Sequence, residues 1–260
     1  MPSICISCVV YTLEGRSPEE NQYIHMFLLW FSQLIKSGGL QENDIVYIYM
    51  DTYTNEYLNN TIFSMLKIIP FKIFIIPQPK THLEGMMWKY NYNDYSQDIF
   101  MYCDIDIYIM KSLHNITNTM KENTIYLCHE GSMEDDNYGA DIPNEKVNKK
   151  NILGFSAGKF IIYGKEICNN FFNIIHNLCR YDTNYYTVEQ PFFNHAILYI
   201  SNIPNIQVDI QLLKSIVSFN FHNFQKESTV FLDLAGEPGK GPVHLTKMVQ
   251  FISLLNCNIL

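Results

Sequence analysis

A chain of 260 residues is matched to one core, because single hydrophobic cores stop growing at about 250 to 300 residues. Hydrophobic residues make up 47% and aromatic residues 14% of it, which excludes a disordered chain. The formal charge of -8 excludes nucleic acid as an expected partner, since a net acidic body repels phosphates instead of releasing their counterions.

In chain order, short apolar runs alternate with stretches of helical spacing, the pattern of an α/β domain. ICISCVVYT (4–12) is predicted as a buried strand. From 23 to 36, Ile24, Phe27, Leu28, Phe31 and Ile35 share one helical face, and Ser37-Gly38-Gly39 stops the helix. A strand is predicted at 44–51, a helix at 55–68 and a strand at 71–77, ended by Pro77. DIFMYCDIDIYIM (98–110) reads as one more apolar strand, carrying two acids. The polar stretch 131–150 is expected as a long loop or insertion, a kind of segment that commonly binds substrate. ILGFSAGKFIIYG (152–164) is predicted as a strand or strand pair, followed by helices at 165–178 and from near Glu189. A strand at 229–236 leads into GEPGKGP, and a helix at 245–255 closes the chain.

Seven cysteines, at 5, 8, 103, 128, 168, 179 and 257, form an odd set without paired CxxC knuckles. Structural thiols in a reducing compartment are therefore expected. No basic leader precedes the first strand, and no apolar stretch approaches the roughly 20 residues of a membrane span. The expectation is a soluble, cytoplasmic protein with no membrane span.

The chemistry concentrates at Asp104 and Asp106. On a strand, residues two apart project to the same side, so one divalent cation could bridge both carboxylates and remove their mutual repulsion. The competing reading ends the strand at Cys103 and makes both acids solvated turn residues. GEPGKGP is not a phosphate loop, because Leu234 and Gly241 stand where that motif needs Gly and Ser or Thr. No Gly-x-Gly-x-x-Gly follows the first strand either. His25, His176 and His195 lie among apolar neighbours in predicted helices and are read as structural, whereas Trp88 is read either as packing or as lining a ligand site.

DIFMYCDIDIYIMKSL resembles the metal-binding strand of GT-A glycosyltransferases, in particular the glycogenin-like transferases grouped as family eight. The resemblance covers most of the chain, with the motifs in the family's order. It implies that Tyr11 and Thr12, at the end of the first strand, meet the nucleotide base. Lys89 matches the basic residue that reaches the donor. GFSAG is similar to the family's N-[SA]-G strand, with Ser156 in place of Asn. VEQPFFN is similar to DQ-x-x-[LF]-N, with Glu189 for Asp, followed by Gln190. DLAGEPGK resembles His-x-x-Gly-x-x-Lys, placing Asp233 at the third metal ligand and Gly236 at the diphosphate, with Lys240 one residue late. His244 is the alternative third ligand.

The resemblance implies one Rossmann-like GT-A domain with a mixed central sheet over 1–260, with 131–150 on the acceptor side. It implies Mn- or Mg-dependent transfer from a nucleoside-diphosphate sugar, a UDP-sugar first among donors, to a glycan or protein hydroxyl, with retention at the anomeric carbon. Asp104, Asp106 and Asp233 would hold the metal, Tyr11, Thr12, Lys89, Asp104, Ser156, Gly236 and Lys240 the donor, and Glu189, Gln190 and Lys89 would serve the reaction. The alternatives are a degenerate carbohydrate- or nucleotide-sugar-binding protein and a Mg-dependent nucleotidyltransferase.

Overall fold

The computed structural model describes residues 1–59, 70–91, 95–139, 148–179, 189–220, 223–234 and 241–256. In chain order these form β1 (Ile4–Val9), α1 (Gln22–Ser37), β2 (Ile45–Asp51), α2 (Thr52–Asn59), β3 (Phe71–Ile76), α3 (His82–Met86), β4 (Ile99–Cys103), β5 (Ile107–Ile109) and α4 (His114–Thr117). They continue with β6 (Thr124–Ser132), α5 (Asp136–Gly139), β7 (Leu153–Tyr163), α6 (Lys165–Leu178), α7 (Gln190–Ile200), β8 (Gln207–Asp209), α8 (Gln211–Ile216), β9 (Val217–Phe219), β10 (Phe231–Asp233) and α9 (Gly241–Asn256).

The fold is α/β with a mixed seven-stranded sheet in the order β3-β2-β1-β4-β7-β6-β8. The strands β3, β2, β1 and β4 run parallel, β7 is antiparallel to β4 and β6, and β8 is parallel to β6. The chain steps from β1 outward to β3 and then returns to the other side of β1. This makes a switch point between β1 and β4, where open α/β sheets form a crevice beyond the strand ends. A small sheet, β5-β10-β9, stands apart from the large one.

Alternation along the central strands divides the core into two faces. Ile4, Ile6, Cys8, Met101 and Cys103 pack with Trp30 and Phe31 of α1 and Phe251 of α9. On the other face, Cys5, Phe100, Tyr102, Phe160 and Ile162 pack with Phe171, Phe172 and Phe193 of α6 and α7. The six cysteines among the described residues are all buried and unbridged, as structural thiols should be. No helix among the described residues is long and apolar enough to cross a membrane.

The main departure from the sequence expectation is at 98–110, where one predicted strand is two strands in different sheets. Asp104, Ile105 and Asp106 form the turn between them, with Ile107 N donating to Asp104 O at 3.0 Å. The apolar alternation runs on because β5 is itself buried, with Ile107, Tyr108 and Ile109 no more than 2% exposed. The expected 131–150 loop also gives way in part, since β6 extends through Ser132 and α5 follows. Residues 140–147 lie outside the described set. The second helix begins at Thr52, because Asp51 Oδ1 accepts from Tyr53 N and Thr54 N and so caps its first turn. Its expected continuation to 68 lies outside the described residues, whereas α6 has the bounds predicted for it.

Phe160 is fully buried between the rings of Tyr102, Phe171, Phe172 and Phe193. Phe160→Ala is expected to lower unfolding stability by about 3–5 kcal/mol, read as a shifted urea midpoint at unchanged slope. A loss below about 1 kcal/mol would show that this ring cluster is not the keystone of its face.

Candidate active site

The strand ends at the switch point are held by buried polar contacts. Thr12 N donates to Asp51 Oδ2 at 2.8 Å, and the Thr54 hydroxyl donates to the same oxygen at 2.6 Å. Asp51 therefore ties the segment after β1 to the start of α2. Thr12 is 1% exposed and its hydroxyl meets Thr54 and Asn21. Tyr11 lies over Gly85, and its hydroxyl is 3.0 Å from His82 Nδ1.

A cleft of about 700 Å³ opens beside the acidic turn. Its walls come from that turn (Asp104, Asp106), from β7 (Ser156, Gly158) and from the start of α7 (Glu189, Gln190). The β6–α5 segment adds Glu130, Asn137 and Tyr138, and the small sheet adds Phe219 and Asp233. Of the site residues expected from sequence, Asp104, Asp106, Ser156, Glu189, Gln190 and Asp233 converge here. Tyr11, Thr12 and Lys89 do not line this cleft, and Gly236 and Lys240 lie outside the described residues. Trp88 lines a separate cavity of about 310 Å³ that shares no residue with the cleft.

Asp104 is fixed from three directions. Its backbone N donates to Gly158 O at 2.8 Å, its Oδ1 accepts from the Tyr102 hydroxyl at 2.6 Å, and its Oδ2 faces Gly158. A Cβ on residue 158 would lie 2.6 Å from Oδ2, so the carboxylate occupies space that only glycine leaves open. Burial pushes the Asp104 carboxyl up to about 7; Lys89 opposes the rise, and Asp106 adds to it. Asp106 Oδ2 lies 3.1 Å from His244 Nδ1 in the first turn of α9, so the positive end of that helix stands beside the acidic turn.

Beyond the end of β4, the backbone of β7 finds its partners on α7. Asn194 accepts from Phe155 N at 2.7 Å and donates to Phe155 O at 2.9 Å, and Gln190 Oε1 accepts from Ala157 N at 3.0 Å. Gln190 Nε2 donates to Asn137 O at 3.1 Å, so both ends of its amide are engaged in holding the walls together. Gln190 thus lines the cleft while its amide bridges β7 and the β6–α5 segment.

Lys89 stands behind the cleft wall and not in it. It is 0% exposed, paired with Glu189 and donating to Ala157 O at 3.0 Å, with the Tyr102 ring 4.9 Å away. Its charge is paired with Glu189 and is also felt by Asp104. Removing either partner of such a pair typically costs about 3–5 kcal/mol, because the other charge is left buried.

The sequence reading missed Lys159, Glu130, Tyr138 and Phe219. Lys159 Nζ lies 2.5 Å from Asp233 Oδ2, is paired with Glu130 and is 3.4 Å from Ser156 Oγ. Burial alone would lower the Lys159 pKa, but Asp233 and Glu130 raise it well above the ordinary range. A lysine inside the apolar run GKFIIY was a legible signal of the same kind as the two acids in their strand. Tyr138 had none, because its place depends on the cross-strand pair Gly131 and Gly154, whose missing side chains make room for its ring. No family model and no curated protein matches the chain.

The raised Asp104 pKa makes a signed prediction. Between its ordinary 3.8 and about 7 the folded state holds the proton more tightly, so stability falls as pH rises through that window. With a chelator present, Asp104→Asn should melt higher than the wild type at about pH 8, and the gap should close towards about pH 4. A gap independent of pH would contradict the raised pKa of Asp104 at the cleft wall.

Proposed function

We propose that this protein is a divalent-metal-dependent glycosyltransferase of the GT-A type, binding a nucleoside-diphosphate sugar in the cleft at Asp104 and Asp106. The observation that carries the reading is the acidic turn itself, held at the switch point of a mixed sheet and aimed into a 700 Å³ cleft. That volume suits a ligand of sugar-nucleotide size better than a lone ion.

The side chains at the acidic turn are of the kinds that Mg or Mn accepts, but they are not gathered around one point. Two carboxylates and an imidazole, Asp104, Asp106 and His244, are ligands such ions accept, and Gly158 leaves the space that Asp104 uses. Among the described residues no three His, Cys, Asp or Glu side chains form a ready-made cage. Mg sites that serve phosphates have this open character, with one or two carboxylates and the remaining ligands from substrate and water. Asp233 is already held by Lys159, and His244 stands against Asp106 Oδ2, so the acidic turn supplies the two carboxylates alone.

A cation held there would supply Lewis-acid charge to the departing diphosphate. The chain's own groups do the rest. Lys89 holds the Glu189 carboxylate at the cleft wall, where it offsets positive charge developing at the anomeric carbon. The bond from that carbon to the diphosphate oxygen breaks with its electron pair leaving on the diphosphate. The acceptor oxygen bonds to the same carbon, and its proton leaves with the diphosphate. Tyr138 and Asn137, on the β6–α5 segment, form the wall assigned to the acceptor.

Two measurements test this. Calorimetry with UDP-sugars should show binding that depends on Mn(II) and is lost in Asp106→Asn with the fold intact; equal affinity after thorough chelation would refute the metal reading. Tyr138→Ala should reduce sugar transfer by about tenfold or more while donor hydrolysis changes little, since an aromatic wall contributes about 1–2 kcal/mol to positioning. Parallel loss of both activities would place Tyr138 on the donor side instead.

A further inference from the structure

Three acidic side chains line the cleft besides Asp104 and Asp106, namely Glu130, Glu189 and Asp233. Glu189 is paired with Lys89. The remaining two, Glu130 and Asp233, share one ammonium, that of Lys159. The Lys159 side chain is 3% exposed and does not itself line the cleft, so it stands behind the two carboxylates it joins. Its Nζ also lies 3.4 Å from Ser156 Oγ and 5.0 Å from the centre of the Phe219 ring.

That surrounding is the chemistry of a hard-cation site: two carboxylate oxygens and a hydroxyl converging on one positive centre. The centre here is covalently part of the chain. Asp233 has little freedom to leave it, because β10 is held in register by β5 on one side, Asp233 opposite Ile107, and by β9 on the other, Asp233 opposite Phe219. Lys159 is equally fixed, paired opposite Cys103 in the sheet directly before the acidic turn.

We propose that Lys159 is a tethered cation that withdraws Asp233 and Glu130 from divalent-metal binding and so decides which carboxylates hold the metal. The inference rests on the metal reading of Asp104 and Asp106 given above, and adds to it a positioning residue that excludes Asp233 from the ligand set. The two carboxylates remain at the cleft wall as fixed hydrogen-bond acceptors with half of their joint charge balanced by the one ammonium. A diphosphate entering the cleft then meets less negative charge at Asp233 and Glu130 than two free carboxylates would present.

Mn(II) titration of the purified protein, without sugar nucleotide, tests the proposal by calorimetry and by thermal shift. Asp233→Asn should bind Mn(II) within about twofold of the wild type, because a residue outside the shell contributes no ligand. Lys159→Met should gain Mn(II) affinity of about tenfold or more, or a second site, because the buried Asp233 and its neighbour Glu130 lose their cation and a divalent ion replaces it. Lys159→Arg, which keeps a cation, should show no gain. The gain in Lys159→Met should persist in an Asp106→Asn background, a result that a merely structural lysine would not produce.

Loss of Mn(II) binding in Asp233→Asn as deep as that in Asp106→Asn overturns the proposal, as does a folded Lys159→Met protein with unchanged affinity. If Lys159→Met does not fold, Asp233→Asn decides alone. Unchanged Mn(II) binding in Asp106→Asn overturns the metal reading of the acidic turn instead, and the Asp233 and Lys159 variants still decide the role of Lys159.

Discussion

Asp104 can face the cleft because residue 158 has no side chain. Its Oδ2 stands 2.6 Å from where a Cβ would be, and its backbone N donates to the carbonyl of that same glycine at 2.8 Å. The contact fixes the point at which the chain leaves the large sheet. β4 ends at Cys103, the turn forms at once, and β5 starts the small sheet at Ile107, with three residues between. A side chain at 158 would displace the Asp104 carboxylate from the position it holds at the cleft.

Charge around that turn is arranged by pairing. Lys89 and Lys159 are both almost fully buried, and each sits behind the wall against carboxylates that line it. Buried ion pairs of this kind add little net stability over apolar packing, since desolvation offsets most of the attraction. Their worth lies in geometry: each lysine holds a carboxylate at one place and reduces the charge an incoming anion meets. Asp104 differs, with a phenol hydroxyl and a distant Lys89 for company, and its raised pKa records the cost of burial.

The walls are also joined to one another by amides. Asn194 and Gln190, one helical turn apart on α7, bond the backbone of β7 where β4 no longer reaches it, and Gln190 continues to Asn137. Tyr138 then lies over the Gly131 and Gly154 pair. Helix, strand and loop are thus tied to one another by hydrogen bonds, which suits a site whose side chains must be held in place.

Much of this was legible in the sequence. The alternation of apolar runs and helical faces located β1, β2, β3, β7, α1 and α6, because burial imposes its period wherever an element has one covered face. The two acids in an apolar run marked the site, since uncompensated charge is costly there. Periodicity could not reveal that the run 98–110 breaks into two sheets, because both halves are buried and the hydrophobic pattern passes through the turn unchanged. Nor could it show that Lys89 is turned inward to Glu189, or that Asp233 faces Lys159, 74 residues away. Those pairings belong to strands and helices brought together from distant parts of the chain, and only the tertiary structure decides which charges meet.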